Sequence, residues 1–159
     1  MIASSGIHMV LPLEIGLCVE DLNRSLAFYR DGLGFDFVSS IVTPAVSATE
    51  SGFAESGYTV VRLQLPTGER LKLFSPDQTP EAARPTARPL ARVGFAFLTL
   101  IVSDIEHELC LLASRNIKPR PPAAYPLRDN VHVALVDDPD GNVVELVEYN
   151  NLGDYRSDR

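Results

Sequence analysis

The stretch that most constrains this chain is the C-terminal run VHVALVDDPDGNVVELVEY, Val131 to Tyr149. Its two apolar arms are rich in β-branched residues. They are joined by DDPDGN, in which Pro139, Gly141 and Asn142 are turn formers, so the run predicts a β-hairpin. Glu145 interrupts the second arm, which is apolar on both faces. A buried carboxylate is costly unless it is paired, protonated or bound to a metal. Glu145 is therefore the first candidate functional residue, and a strand edge that reaches water is the alternative explanation.

The composition is that of a globular protein. Of the 159 residues, 45% are apolar, which is enough for one well-buried domain or for two small modules. The 14 basic and 21 acidic residues give a net charge of 14 − 21 = −7, which argues against a nucleic-acid surface. The chain has no apolar run of about 18 residues, so it predicts no membrane span.

The N-terminal run MIASSGIHMV does not have the pattern of a signal peptide, because it lacks a basic segment and a long apolar core. The pair His8-Met9 resembles a cloning junction. Residues 1–10 are therefore expected to be an N-terminal extension, derived in part from a tag. A cytoplasmic location is expected for the protein.

An internal repeat sets the expected architecture. IGLCVEDL at Ile15 to Leu22 matches LTLIVSDI at Leu98 to Ile105 in its pattern of apolar positions, and both halves predict the order β-α-β-β-β. The expected class is α+β, with the two modules forming a curled, barrel-like eight-stranded sheet around a central cavity and the helices outside. The expected bounds are 11–75 for the first module, 76–92 for a Pro-rich linker, 93–150 for the second module and 151–159 for a tail.

In the first module, the helix DLNRSLAFYRDGLG is expected to bury a stripe formed by Leu22, Leu26, Tyr29 and Leu33. The segment Thr43 to Gly57 is rich in Ser, Ala and Gly. It predicts a long loop or a short extra element, and a lid over a binding site is one hypothesis for it.

In the second module, Gly94 to Val102 predicts a strand. Ser103, with Glu106 three residues on, predicts a capping box at the start of the next helix. The linker carries Arg84, Arg88 and Arg92, which either meet an anionic ligand or form part of a solvated linker.

The faces of the strands indicate where a site could lie. One face of each strand is expected to pack on a helix, because apolar residues alternate along it. The other face is expected to line the cavity. His132, on the penultimate strand, is a further candidate whose side depends on the register. The residues expected on the cavity side are Glu14, Gly16, Cys18, Lys72, Phe74, Phe95, Phe97, Thr99 and Glu145.

The motifs IGLCVEDLNRSLAFYRDGLGF and DDPDGNVVELVEY, together with the repeat, resemble the vicinal oxygen chelate superfamily. This superfamily includes glyoxalase I, methylmalonyl-CoA epimerase, extradiol dioxygenases, fosfomycin-modifying enzymes and bleomycin-resistance proteins. The resemblance extends over about Leu11 to Tyr149. It implies the fold, but it does not select one function within the family.

The resemblance also implies where a metal would be held. The family's ligands, usually His or Gln, then Glu, His and Glu, fall at Glu14, Lys72, Phe97 and Glu145 in this chain. A charged Lys and a Phe cannot ligate a metal, so no metal or other cofactor is expected. If a divalent metal does bind, its expected ligands are Glu14 and Glu145.

Three functions follow from this set of residues. The first is binding of a small organic molecule, aromatic if the phenylalanines stack on it, with Cys18, Phe74, Phe95, Phe97, Thr99 and His132 as the ligand-binding residues. The carboxylates would favour a cationic or hydroxyl-bearing ligand. The second is a metal-independent isomerase, epimerase or lyase, with Lys72 as electrophile and Glu14 or Glu145 moving a proton. The third is a divalent-metal enzyme of the glyoxalase type. The resemblance also implies a homodimer.

For Lys72 two interpretations remain open. The ammonium could form a charge-neutralising network with Glu14 and Glu145, or it could supply to a ligand oxygen the positive charge that a metal supplies in the family.

Overall fold

The computed structural model describes residue 7 and residues 9–82 and 87–156, apart from the side chain of Asp154. The expectations for residues 1–6 and His8 of the extension, for residues 83–86 of the linker, including Arg84, and for residues 157–159 of the tail lie outside this part of the chain.

The strands and helices follow the predicted repeat, with one added helix in the first module. The strands are β1 (Glu14–Cys18), β2 (Asp36–Thr43), β3 (Tyr58–Gln64), β4 (Arg70–Pro76), β5 (Leu98–Val102), β6 (Tyr125–Arg128), β7 (Val131–Asp137) and β8 (Val143–Tyr149). The helices are α1 (Leu22–Leu26), which continues as a π-helical segment (Ala27–Gly32), then α2 (Ala45–Glu50), a 3-10 turn (Pro89–Ala91), α3 (Ile105–Ser114) and α4 (Leu152–Tyr155). No helix in the described ranges is long and apolar enough to cross a membrane.

The strands form two four-stranded mixed sheets, which confirms the α+β class and the repeated module. Sheet I has the order β1-β4-β3-β2 and sheet II the order β5-β8-β7-β6. In each sheet the first strand of the module runs parallel to the last, and the remaining pairs are antiparallel. The hydrogen-bonded ladders of the described strands thus make two sheets, rather than the single eight-stranded sheet that was expected.

The chain divides into two compact units. The first contains the described residues up to Asn23 together with Tyr29–Pro80, and the second contains Arg24–Phe28 together with the described residues from Glu81 onward. Sheet I lies in the first unit and sheet II in the second.

The apolar alternation of the sequence places the cores as expected. One face of sheet I carries Leu17, Leu63, Leu71 and Leu73, all buried. In the second unit, α3 packs on β7 and β8, and its residues Ile105, Leu109 and Leu112 are buried, as the periodicity predicts.

The first helix differs from the predicted stripe. Tyr29 is fully buried, but Leu22, Leu26 and Leu33 are only half-buried, and Ser25 and Phe28 are buried in addition. The π-helical segment that begins at Ala27 shifts the side chains that follow it around the helix axis, which accounts for the burial of Phe28 next to Tyr29. It does not account for Leu22, Ser25 and Leu26, which precede it.

Two boundaries in the second module also need correction. Strand β5 begins at Leu98, not Gly94, because its ladder with β8 begins at the pair Leu98–Val144. Gly94 itself has a φ of 131°, outside the strand region. Helix α3 is capped by Asp104, whose carboxylate accepts the backbone N–H of His107 at 2.9 Å, so the predicted Ser103–Glu106 capping box is wrong by one residue.

Candidate functional site

The face of sheet I opposite its buried leucines carries polar and aromatic side chains, and we call it the polar–aromatic face. It follows from alternation along each strand, because directly paired residues share a face. Parallel pairing places Gly16 beside Lys72 and Cys18 beside Phe74, and antiparallel pairing places Val60 beside Phe74. The residues of this face are Glu14, Gly16, Cys18, Asp36, Ser39, Ile41, Thr43, Tyr58, Val60, Arg62, Gln64, Arg70, Lys72 and Phe74.

Glu14 and Lys72, both predicted site residues, are brought together on this face. The Oε2 atom of Glu14 lies 3.5 Å from Nζ of Lys72, and its Oε1 atom lies 3.5 Å from Nη1 of Arg70. The side chains of Glu14 and Lys72 are each 29% exposed, so water partly screens the pair. Each oxygen of the Glu14 carboxylate therefore faces a cation.

Two arginines on this face were not among the predicted site residues. Arg62 lies directly opposite Lys72 in the β3–β4 ladder, and its Nη1 donates to Oγ of Ser39 at 3.3 Å. Arg70 donates from Nε to Oε1 of Gln64 at 2.7 Å. Alternation along β4 puts Arg70 on the same face as Lys72, and this was the signal for Arg70. The alternation of polar and apolar residues in TVVRLQ of β3 was the signal for Arg62.

An aromatic group lies at the other end of the same face. The rings of Phe53 and Phe74 are stacked, with centroids 6.1 Å apart and planes at 20°. Tyr58 contacts both, at 6.1 Å from Phe53 and 5.5 Å from Phe74. Phe74 was a predicted ligand-binding residue, whereas Phe53 was missed because it lies in the loosely patterned segment Thr43 to Gly57.

That segment forms a short helix, as one of its two alternatives predicted, and the end of this helix positions Phe53. Gly52, with a φ of 77°, follows α2, and its N–H donates to the carbonyl of Thr49 at 3.1 Å. The N–H of Phe53 donates to the carbonyl of Ala48 at 3.0 Å. This pair of hydrogen bonds is the Schellman motif, in which the left-handed residue is usually glycine.

Gly16 leaves room on this face in the middle of β1. A Cβ added at this position would lie 3.0 Å from Cε2 of Phe74, closer than ordinary van der Waals contact. A side chain here would therefore press on the ring that stacks with Phe53.

In the second unit, Glu145 lies on β8 with Thr99 beside it. Oγ1 of Thr99 donates to Oε2 of Glu145 at 2.7 Å, and the two are paired in the β5–β8 ladder. Tyr149 lies on the same face of the strand, and its ring stacks on that of Tyr155 with centroids 3.9 Å apart. Burial, and then the hydrogen bond with Tyr155, raise the pKa of Tyr149.

Of the remaining predicted residues, Cys18 lies on the polar–aromatic face beside Phe74, and the others lie elsewhere in the second unit. His132 pairs with Glu148 in the β7–β8 ladder, so it lies on the face of sheet II opposite Glu145. Phe95 is 68% exposed, and both Phe95 and Phe97 precede β5. Cys18 is exposed on the polar–aromatic face. The linker residues Arg88 and Arg92 are exposed.

In both modules the first strand runs parallel to the last. Comparison with known protein families assigns the chain to a family. The family model of the Glyoxalase/Bleomycin resistance protein/Dioxygenase superfamily matches residues 7–146. The chain belongs to this superfamily. No match was found among curated proteins.

Solved structures of the superfamily share the fold. A glyoxalase family protein from Bacillus cereus has a TM-score of 0.76 at 14% identity, with 94% of this chain and 100% of that chain covered. A glyoxalase family protein from Enterococcus faecalis has a TM-score of 0.64 at 23% identity, with coverage of 88% and 97%. A glyoxylase/bleomycin resistance protein/dioxygenase domain from Frankia sp. EAN1pec has a TM-score of 0.64 at 16% identity, with coverage of 89% and 93%. Identities this low show the fold alone.

The residues that the resemblance placed at the superfamily's metal-ligand positions do not suit a divalent metal. Glu14 faces the cations of Lys72 and Arg70, and a dication beside them would be repelled. Phe97 has no donor atom. Across the described ranges, no three His, Cys, Asp or Glu residues lie together in a group that could hold a metal. A catalytic metal normally requires three protein ligands.

Proposed function

We propose that this superfamily member binds a small planar organic molecule on the polar–aromatic face of sheet I, without the catalytic metal of its relatives. The observation that carries the proposal is the stack of Phe53 on Phe74, next to the half-buried polar group around Lys72. Binding sites for small molecules commonly combine aromatic walls with a few placed polar groups.

The exposure of Phe53 supports a ligand contact. Its side chain is 67% exposed, although the Schellman turn holds it over Phe74 and Tyr58. An exposed aromatic ring held in a fixed position offers a stacking surface that costs little conformational entropy on binding. A planar ligand that covered this ring would remove apolar area from water.

The two cations beside Glu14 support a metal-free site. Its two oxygens lie 3.5 Å from Lys72 and Arg70, so the carboxylate is already neutralised by protein cations. Those cations can hydrogen-bond a ligand directly, and the proposal needs no further cofactor.

Titration calorimetry with naphthalene derivatives tests this function. Phe53→Ala is expected to weaken binding about tenfold, because a stacked ring contributes roughly 1–1.5 kcal/mol beyond the area that it covers. The matched control is Phe37→Ala, since Phe37 is 53% exposed on the opposite face of sheet I. Equal weakening by both variants, or the absence of binding to the wild-type protein, would contradict the proposal.

A second candidate is a metal-independent isomerase, epimerase or lyase, and it is favoured by the 3.5 Å approach of Glu14 to Lys72. In this function Lys72 stabilises a developing enolate oxygen while Glu14 moves the proton. Exchange of an acidic C–H of a bound carbonyl compound for deuterium, followed by NMR, tests it. Glu14→Gln should abolish the exchange while binding persists, and an exchange rate unchanged by Glu14→Gln would exclude this role.

A further inference from the structure

We infer that the molecule bound on the polar–aromatic face is an aromatic anion, with its carboxylate or phosphate oxygens held by Arg62, Lys72 and Arg70. This inference rests on the proposed function and adds the charge class of the ligand. It reverses the sign expected from sequence, which favoured a cationic or hydroxyl-bearing ligand.

The positions of Arg62 and Lys72 are the first argument. They are directly opposite each other in the antiparallel β3–β4 ladder, on the same face. Directly opposed residues lie about 4.5–5.5 Å apart at Cβ, and like charges in such a pair destabilise a sheet. An anion between the two cations would relieve this repulsion.

The charge of the whole face is the second argument. Arg62, Arg70 and Lys72 carry three positive charges, and Glu14 and Asp36 carry two negative charges, so the face has a net charge of 3 − 2 = +1. The entire chain has a net charge of −7. A positively charged face on an acidic protein favours an anionic ligand over a cationic one.

The hydrogen-bonding capacity left on this face is the third argument. In the described part of the chain, Arg62 makes one side-chain hydrogen bond, to Ser39 at 3.3 Å. A guanidinium carries five N–H donors, so most of those of Arg62 remain available. The 3.5 Å separation of Lys72 from Glu14 is longer than the roughly 2.7–2.9 Å of a strong charged hydrogen bond. Lys72 can therefore donate to a second anion.

The spacing of cations and rings fits one small molecule. Lys72 and Phe74 are alternate residues of β4, so they share a face about 6.6–6.8 Å apart along the strand. Val60, which pairs with Phe74, follows the same alternation from Arg62 on β3. A ligand whose anionic group meets Arg62 and Lys72 therefore extends its ring toward Phe74 and Phe53.

Five probes with the same ring system test the charge class by titration calorimetry: naphthoate, naphthyl phosphate, naphthamide, naphthylmethylamine and naphthalenemethanol. The anions are expected to bind at least tenfold more tightly than the amide and the alcohol, because charge-assisted hydrogen bonds are roughly twice as strong as neutral ones. The amine is expected to bind weakest. A preference between naphthoate and naphthyl phosphate would identify the acid group.

Substitutions locate the effect. Arg62→Gln and Lys72→Gln should each weaken naphthoate binding about tenfold and leave naphthamide binding unchanged. Arg30→Gln is the matched control, since it removes the same charge from an exposed residue that is paired with Asp31. It should leave both affinities unchanged.

The outcomes separate this inference from the proposed function. If naphthamide, the alcohol or the amine binds as tightly as the anions, the charge assignment is overturned and the binding function stands. If Arg30→Gln weakens naphthoate binding as much as Arg62→Gln does, the effect is one of net charge and the assigned residues are wrong. If none of the five probes binds, the proposed function fails together with the inference.

Discussion

The carboxylate of Glu14 and the ammonium of Lys72 lie 3.5 Å apart on one face of sheet I, and the second oxygen of the same carboxylate lies 3.5 Å from Arg70. The negative charge of Glu14 therefore offsets part of the positive charge of Lys72 and Arg70. A carboxylate of the protein and an anionic ligand would compete for the same two cations.

Removing this competition should strengthen the binding of an anion. Glu14→Gln is expected to raise the affinity for naphthoate about twofold to fivefold, since a partly exposed ion pair contributes up to roughly 1 kcal/mol. Titration calorimetry measures the change. Glu106→Gln, at an exposed residue of α3, is the control for net charge. A loss of affinity in Glu14→Gln would mean that this carboxylate accepts a hydrogen bond from the ligand.

The turn DDPDGN depends on the buried carboxylate of Asp138. Its Oδ1 accepts the backbone N–H groups of Asp140 at 2.9 Å and Asn142 at 2.7 Å, and its Oδ2 accepts Nδ2 of Asn142 at 2.9 Å. Asp138→Ala should lower the free energy of unfolding by roughly 1–3 kcal/mol, because it leaves these donors without their acceptor. Asp138→Asn keeps one oxygen as an acceptor, so it should lower the free energy of unfolding less than Asp138→Ala does. Urea denaturation measures both changes. Equal losses in the two variants would mean that the hydrogen bonds are not the cause.

The end of α2 should tolerate few residues at Gly52. Its φ of 77° lies in the left-handed region, which an alanine side chain disfavours. Gly52→Ala should therefore lower the free energy of unfolding by about 1 kcal/mol. It should also weaken ligand binding, because the turn at Gly52 positions Phe53. Gly52→Asn is the control, because asparagine tolerates this conformation. Thermal unfolding and calorimetry measure the two effects. The account of how Phe53 is positioned would be wrong if Ala and Asn behaved alike.

Stability at alkaline pH should depend on Tyr149. Burial and the hydrogen bond with Tyr155 raise its pKa, so the folded chain holds this proton more tightly than the unfolded chain. The resulting contribution is fully present below the ordinary phenol pKa of about 10 and is lost as the pH rises through the raised value. Urea denaturation should therefore show that the free energy of unfolding falls as the pH rises through this range. The fall should be smaller in Tyr149→Phe than in the wild-type protein. The control Tyr125→Phe, at an exposed tyrosine, should retain the full decline.

The order of elements and the strand faces could be predicted because alternation is a local property. Leu71 and Leu73 on one side of β4, and Lys72 and Phe74 on the other, follow from their positions in the sequence. The two end motifs also have a physical link. Nη2 of Arg24 donates to Oδ1 of Asp140 at 2.9 Å, and Oγ of Ser25 donates to Oδ2 at 3.4 Å.

The parts that sequence missed depend on non-local contacts. The start of β5 at Leu98 depends on where β8 begins to pair, and the side of His132 depends on the β7–β8 register. The opposition of Arg62 to Lys72 and the stacking of Phe53 on Phe74 join residues that are separated along the chain. Arg62 could not be assigned to the site from sequence for the same reason, because its position opposite Lys72 depends on the β3–β4 register.

The most direct test of the central claim is titration of naphthoate into protein that has been treated with a chelator and then freed of it. We expect saturable binding to the chelator-treated protein, with an affinity unchanged by added zinc or manganese and lowered by Phe53→Ala and Lys72→Gln. Binding that appeared only after a divalent metal was returned would contradict it and would place the protein with the metal-dependent members of its superfamily.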